Sequence, residues 1–341
     1  MGRLSEFFSS KNMKRDFSTS LALVLALGIA ASISASAWAQ SRQEMVTKGA
    51  DATVDLFTVH KSAVKSNGRP PVLLLHPFGA PCADAYDLPD YSWMDYLSKA
   101  GFDTWAIDFK GFARSSHPQA SVPVNRAKES VEDVKAVVQE IKRRTGTSKV
   151  SLLGWSWGGV VAAMTAIDDA NDIDRLVLVG TMHGFVLPMM TDPLARPGEP
   201  TVFGPVDVPY QRLDAKLALA HWRMMLKGIE GVASPDAVQK AEALMHRCGN
   251  VVEIDGKMLV TRPMGPLQDL FEIWVNRPIF DPTRIKVPTL VLRGDHDIFA
   301  DAQLAPKIPR AKEVVVPDAT HWGPFEKGSR LFWLESEQFL K

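Results

Sequence analysis

The sequence lacks the features that mark nucleic-acid-binding and metal-binding proteins. Its 39 Lys and Arg residues balance 39 Asp and Glu residues, so there is no basic excess for a nucleic acid. His and Cys residues do not cluster at the spacings of zinc sites, and neither the phosphate-loop pattern nor the dinucleotide-binding glycine pattern is present. We therefore expect no metal, no cofactor and no nucleic-acid partner.

The apolar run near the N terminus, residues 21–31, is too short to span a bilayer of about 30 Å. It follows four Lys or Arg residues and precedes small residues that end in Ala37-Trp38-Ala39. These features are typical of a secretory signal peptide. We therefore expect residues 1–39 to be cleaved off after export to a bacterial periplasm or the medium, with no stable membrane insertion. An uncleaved amphipathic anchor is the alternative.

Cysteine is scarce, and the two residues present are Cys82 and Cys248. Export makes a disulfide between them chemically possible. Such a bridge would join a loop beside the predicted active site to the inserted segment described below. Two unconnected thiols fit the sequence equally well, because the sequence does not supply the distance between them.

Strands and helices alternate over residues 40–181 and 282–341. Several short runs are apolar throughout, as buried parallel strands are, and a long segment with apolar positions at helical spacing lies among them. The strand-like runs include residues 71–75, 104–107, 175–179 and 287–292, and the helical segment is 126–144. This alternation predicts an α/β fold with a doubly wound, mostly parallel sheet.

The alternation stops between residues 182 and 281. Six prolines punctuate residues 188–209, and no strand of the same type is expected in this part. Helices are predicted at 210–228, 234–247 and 265–276. We therefore predict that residues 182–281 form a helical cap inserted into the core, and that some of its apolar side chains line a pocket.

The central motif is Gly-x-Ser-x-Gly, formed by Gly154, Ser156 and Gly158. It follows a short apolar run and precedes small residues at helical spacing, which predicts a strand, a tight turn and a helix. This is the context of a nucleophile elbow, in which the turn exposes the serine hydroxyl. The positive end of the helix then favours developing negative charge. A plain glycine-rich turn with an idle serine is the alternative.

A serine nucleophile needs a base, and the base needs a carboxylate that fixes its tautomer. A candidate acid, Asp297, follows one late predicted strand, and a histidine, His321, follows the next. The chain order Ser156, Asp297, His321 is the order found in α/β-hydrolases. Asp295 is the second candidate for the acid.

Five features in this order resemble the α/β-hydrolase family with a helical cap, over residues 50–341. They are His76-Pro-Phe-Gly79, residues 108–115, the Gly-Trp-Ser-Trp-Gly-Gly turn, Gly294 to Asp297, and His321-Trp322. The resemblance implies that Ser156 is the nucleophile, His321 the base and Asp297 the acid. It also implies that the backbone N–H groups of Phe78 and Trp157 form the oxyanion hole. Pro77 departs from the family, which usually has glycine there.

The resemblance implies an exported serine hydrolase that cleaves a carboxylic ester or lactone through an acyl-enzyme. Trp155, Met189 and Met190 are expected to line an apolar pocket, which favours a small or medium apolar or aromatic substrate. No oligomeric state follows from the sequence.

Other activities stay open at this stage. C–C bond hydrolases, amidases and acyltransferases use the same triad, and a surface-active lipase or a non-catalytic ligand-binding relative fits the same fold. Haloalkane dehalogenases and epoxide hydrolases are disfavoured, because they use a carboxylate at the elbow where this chain has Ser156.

Overall fold

The computed structural model describes residues 42–248 and 251–341, with the backbone alone for Ala215. The predicted signal peptide lies outside the described residues. None of the helices in these ranges combines the length and the hydropathy that a membrane-spanning segment needs.

The described residues form fifteen strands. In chain order they are β1 (Arg42–Lys48), β2 (Asp55–Lys61), β3 (Val72–Leu75), β4 (Asp87–Leu88), β5 (Tyr91–Ser92), β6 (Thr104–Ile107), β7 (Val150–Trp155), β8 (Ile173–Val179), β9 (Ala195–Arg196), β10 (Glu199–Phe203), β11 (Tyr210–Asp214), β12 (Val252–Ile254), β13 (Lys257–Pro263), β14 (Thr289–Gly294) and β15 (Ala311–Val316). Eight of them form one sheet in the order β1-β2-β6-β3-β7-β8-β14-β15. β2 is antiparallel to both of its neighbours, and the strands from β6 to β15 in this order are parallel. The predicted mostly parallel sheet is confirmed.

Nine α-helices occur in the same part of the chain. They are α1 (Trp93–Lys99), α2 (Ala127–Thr145), α3 (Trp157–Asp168), α4 (Pro188–Thr191), α5 (Ala215–Ala218), α6 (Ala220–Met225), α7 (Pro235–Cys248), α8 (Gly265–Trp274) and α9 (Ser329–Leu340). Along the strand order, the chain moves one way when it connects β3 to β6 and the opposite way when it connects β6 to β7. Because such crossovers are right-handed, α1 and α2 lie on opposite faces of the sheet. This explains why every residue of β3 and β7 is buried.

Helix α2 shows how the sequence pattern determines packing. Val131, Val134, Val138 and Ile141 recur at helical spacing and are all buried, so they form the face that packs on the core. The helix ends at Gly146, whose φ of 70° is the left-handed conformation that terminates many helices.

Residues 182–281, which we call the inserted segment, lie between β8 and β14 and contain strands as well as helices. β11, β13 and β12 form a three-stranded antiparallel sheet. The helices predicted at 234–247 and 265–276 correspond to α7 and α8. The helix predicted at 210–228 is wrong at its start, because residues 210–214 pair with β13 as strand β11. We propose that the inserted segment is the cap.

Cys82 and Cys248 form a disulfide that joins the core to the inserted segment. Their Cα atoms are 5.3 Å apart, although 166 positions separate them in the sequence. Cys82 lies just before a short 3-10 helix, Ala83–Tyr86, and Cys248 is the last residue of α7. The structure therefore decides between the two outcomes that the sequence left open.

Replacing both cysteines with alanine is expected to lower the free energy of unfolding by about 2–5 kcal/mol, because the bridge closes a long loop in the unfolded chain. Urea unfolding of the oxidised wild type and the double variant measures the loss. Wild type treated with a reductant is the matched control and should approach the double variant. Equal unfolding midpoints for all three samples would contradict a stabilising bridge.

Candidate active site

Loops that follow four parallel strands of the central sheet meet at one edge. The strands are β3, β7, β14 and β15, and the loops carry residues 76–79, Ser156, Asp297 and His321 respectively. Because the carboxyl ends of parallel strands share an edge of the sheet, ligands of such folds bind there. Residues far apart in the sequence are therefore brought to one place by the sheet order.

Ser156 lies at the turn between β7 and α3, with φ 60° and ψ −123°. A non-glycine residue rarely adopts such a conformation, which costs about 1–3 kcal/mol. The turn excludes side chains nearby: a Cβ at Gly158 would lie 2.2 Å from the carbonyl oxygen of Leu75, and one at Gly154 would lie 2.4 Å from that of Gly158. The Ser156 N–H donates to the Val179 carbonyl at 2.7 Å, which ties the turn to the neighbouring strand.

Asp297 and His321 form a buried pair. Nδ1 of His321 lies 2.9 Å from Oδ2 of Asp297 and 3.0 Å from Oδ1, and the two side chains are 6% and 1% exposed. Oδ1 of Asp297 also accepts the backbone N–H groups of Phe299 at 2.9 Å and Ala300 at 3.1 Å. The carboxylate is thus fixed, and a neutral His321 that donates from Nδ1 keeps Nε2 free to accept a proton.

Asp295, the second candidate from the sequence, takes a different position. It accepts the backbone N–H of Ala319 at 3.1 Å and is exposed to solvent. Asp297, and not Asp295, therefore contacts His321.

The loop that carries His321 is held from both the core and the inserted segment. The buried carboxylate of Glu326 accepts the backbone N–H of Thr320 at 2.8 Å and its hydroxyl at 2.5 Å, and it also accepts Nε1 of Trp222 at 2.7 Å. Burial raises the pKa of Glu326. Nε1 of Trp155 donates to the His321 carbonyl at 2.9 Å. These contacts leave the His321 loop little freedom to move.

His76 braces the loop after β3. Its Nδ1 contacts the Pro77 carbonyl at 2.9 Å, its Nε2 accepts the Phe109 N–H at 3.2 Å, and the side chain is fully buried. Burial lowers the pKa of His76 from 6.5 to about 3. The ring is therefore neutral at ordinary pH.

The neutral His76 predicts a pH dependence of stability. Below a pH of about 6.5, the unfolded chain binds a proton at His76 that the folded protein does not bind. The free energy of unfolding therefore falls by about 1.4 kcal/mol for each pH unit below 6.5. His76→Gln removes this dependence, so its stability difference from wild type should shrink as the pH falls from 6.5 towards 3. Urea unfolding between these pH values measures this difference, and His246→Gln, at an exposed histidine, is the control. A difference that does not change with pH would contradict the prediction.

A cavity of about 400 Å³ opens beside Ser156 and His321. Its wall is mainly apolar and comes from both the core and the inserted segment. The three residues predicted as substrate contacts, Trp155, Met189 and Met190, all line it. The structure therefore brings them to the same cavity as the predicted nucleophile and base.

The two residues predicted for the oxyanion hole differ in their surroundings. Phe78 lines the cavity, whereas the Trp157 indole is buried against Phe109 and donates to Asp269 at 3.1 Å. Trp157 is the first residue of α3, where N–H groups have no acceptor within the helix. The use of the Phe78 and Trp157 N–H groups for an oxyanion stays a prediction.

The sequence pattern did not identify three polar residues of the cavity wall, which are Gln211 on β11, His221 on α6 and Arg262 on β13. Nε2 of His221 accepts Nε1 of Trp322 at 2.9 Å. Burial, with smaller electrostatic effects of the neighbouring His321 and Arg262 side chains, lowers the pKa of His221 to about 3. In the sequence, Arg262 is a single charged residue in an uncharged stretch. An exposed residue of a strand shows the same pattern, so the sequence does not indicate that Arg262 is buried.

Comparisons with known proteins agree with this architecture. The family described as the alpha/beta hydrolase fold matches residues 70–328. Epoxide hydrolase 3 of Xenopus tropicalis is 25% identical over 291 residues, which cover 77% of this chain and 69% of that protein.

Two solved structures show the same fold at low sequence identity. The thioesterase domain from the curacin biosynthetic pathway superposes with a TM-score of 0.59 at 16% identity, covering 86% of this chain and 99% of that one. The enol-lactonase from Burkholderia xenovorans LB400 superposes with a TM-score of 0.56 at 19% identity, covering 84% and 97%. At these identities the likeness extends to the fold alone.

Proposed function

Because the chain belongs to the alpha/beta hydrolase fold family, we propose that it is a serine hydrolase that cleaves a carboxylic ester or lactone. The observation that carries the proposal is the buried Asp297–His321 hydrogen bond at the cavity that Ser156 also lines. A serine, a histidine and a fixed carboxylate are the groups with which serine hydrolases carry out acyl transfer.

In the proposed reaction, Oγ of Ser156 attacks the carbonyl carbon while Nε2 of His321 takes the hydroxyl proton. The N–H groups of Phe78 and Trp157 receive the oxyanion of the tetrahedral intermediate. His321 then returns the proton to the leaving alkoxide as the C–O bond breaks. Asp297 stabilises the imidazolium throughout. His321 then takes a proton from water as the water attacks the acyl-enzyme, and it passes this proton to Oγ of Ser156 as the bond between Oγ and the acyl carbon breaks and the acid is released.

The similarity to Epoxide hydrolase 3 does not carry over as an activity. An elbow carboxylate can open an epoxide by forming an ester that water then hydrolyses. A hydroxyl at the same position would form an ether, which water does not hydrolyse. Ser156 therefore favours acyl chemistry for this chain.

The cavity supports a small or medium substrate. Its volume of about 400 Å³ lies within the range of ordinary ligand sites, about 300–1,000 Å³. The methionine and tryptophan side chains of the wall suit an apolar or aromatic acyl group.

We further propose that the protein is exported after cleavage near Ala39. The Cys82–Cys248 disulfide supports this proposal, because such bridges persist in oxidising compartments. N-terminal sequencing of the protein recovered from the periplasm or medium tests it.

The proposed function is tested by hydrolysis of p-nitrophenyl esters with short to long acyl chains. We expect the highest kcat/KM for short or medium chains. If the esters are inert but a fluorophosphonate still labels Ser156, the serine is activated and a C–C or amide bond becomes the better substrate class. If neither reaction occurs, the non-catalytic ligand-binding alternative is favoured.

A further inference from the structure

Arg262 places a buried positive charge in the wall of the cavity. It lies near the end of β13, is 5% exposed, and lines the same cavity as Ser156 and His321. Taking a cation out of water is costly unless an anion or several hydrogen bonds compensate for it. The contacts of Arg262 therefore show whether its charge is already compensated within the protein.

The acceptors around the Arg262 guanidinium are neutral. Nη1 donates to the Phe78 carbonyl at 3.2 Å and Nη2 donates to Oε1 of Gln211 at 2.9 Å. The guanidinium carbon also lies 4.2 Å from the centre of the Phe78 ring. Nε is buried without a hydrogen-bond partner. A guanidinium carries five N–H donors, so part of its bonding capacity is unused.

Nothing else in the described wall offsets this charge. Within residues 42–248 and 251–341, no Asp or Glu lines the cavity. His221 is neutral at ordinary pH because burial lowers its pKa to about 3. Burial likewise lowers the pKa of Arg262, to about 10, so the guanidinium is still protonated. Arg262 thus brings a positive charge to the wall of the cavity in apolar surroundings, where electrostatic attraction is stronger than in water.

We propose that Arg262 binds an anionic group of the substrate, so that the preferred ester or lactone carries a carboxylate at the end of its acyl part. This inference rests on the proposed function and narrows its substrate class. The planar guanidinium suits a carboxylate, which it can bind through two parallel hydrogen bonds. The apolar wall would contact the carbon chain between the carboxylate and the scissile carbonyl.

The test compares two esters that differ only at the end of the acyl chain, mono-p-nitrophenyl adipate and p-nitrophenyl hexanoate. Both have the same acyl chain length, and one ends in a carboxylate where the other ends in a methyl group. Wild type is expected to hydrolyse the adipate ester with a kcat/KM about tenfold or more above that of the hexanoate ester, since hydrogen bonds to charged groups are the stronger ones. Equal or reversed preference in wild type overturns the inference.

Variants distinguish anion binding from a purely structural role. Arg262→Gln should abolish the preference, mainly through a higher KM for the adipate ester, and Arg262→Lys should retain part of it. Arg212→Gln is the matched control, because Arg212 is exposed and stands opposite Thr261 in the neighbouring strand β11. If Arg262 only positions the loop through the Phe78 carbonyl, kcat falls equally for both esters and the inference is wrong.

Two further outcomes stay distinguishable. If Arg262→Gln does not fold, the wild-type preference decides, together with competition by free adipate against hydrolysis of the hexanoate ester. If wild type hydrolyses neither ester, the proposed function fails. The anion site is then tested alone by the thermal midpoint, which adipate should raise in wild type and in Arg212→Gln but not in Arg262→Gln. A midpoint that adipate does not raise in wild type overturns the site as well.

Discussion

Ser156→Ala is expected to reduce kcat by about 10⁴-fold or more, because removing the nucleophile of a triad leaves only the help of binding and oxyanion stabilisation. The fold should be unaffected. Alanine keeps the Cβ that the turn already accommodates, and the backbone N–H of residue 156 still donates to the Val179 carbonyl. Steady-state hydrolysis of the best ester measures the loss, and the thermal midpoint checks the fold.

Ser151→Ala is the matched control for this experiment. Ser151 is a buried serine in β7, the strand that leads into Ser156, and it does not line the cavity. Its substitution should leave both the hydrolysis rate and fluorophosphonate labelling near wild type. A Ser156→Ala variant that retains activity within about tenfold of wild type would be incompatible with a role as nucleophile.

Asp297→Asn is expected to lower kcat at neutral pH by about 10⁴-fold. The amide oxygen of asparagine can still accept the N–H groups of Phe299 and Ala300, as Oδ1 of Asp297 does. Its NH₂ group then faces Nδ1 of His321 and donates to it. The ring is forced into the tautomer that carries its proton on Nε2, which cannot accept the proton of Ser156.

Asp295→Asn tests the same chemistry at the neighbouring acid. Asp295 is exposed and accepts the Ala319 N–H without contacting His321, so kcat should stay close to the wild-type value. The two variants make the same chemical change within one loop. A larger loss for Asp295→Asn than for Asp297→Asn would reverse the proposed assignment of the acid.

Elements formed by local sequence pattern agree closely with the structure. The predicted strand at 104–107 coincides with β6, and the predicted helical segment at 126–144 agrees with α2 to within one residue at each end. The strand is predicted from an unbroken run of apolar residues, and the helix is predicted from apolar residues at helical spacing. Both patterns lie within the elements themselves. β11 was missed because its hydrogen-bond partner, β13, lies far along the chain. A short segment of mixed composition forms a strand when another strand is available for hydrogen bonding. The sequence near the segment does not show that such a partner exists.

The sequence pattern was sufficient to predict the mostly parallel sheet, the tight turn around Ser156 and the chain order of serine, acid and histidine. These depend on periodicity and on small residues at fixed positions, so they are local properties. Three further features are seen only in the folded chain: Asp297 rather than Asp295 contacts His321, Cys82 and Cys248 are bonded, and Arg262 is buried at the cavity. Each of these is a distance between groups far apart in the chain, and such distances exist only after the sheet has brought its strand ends together.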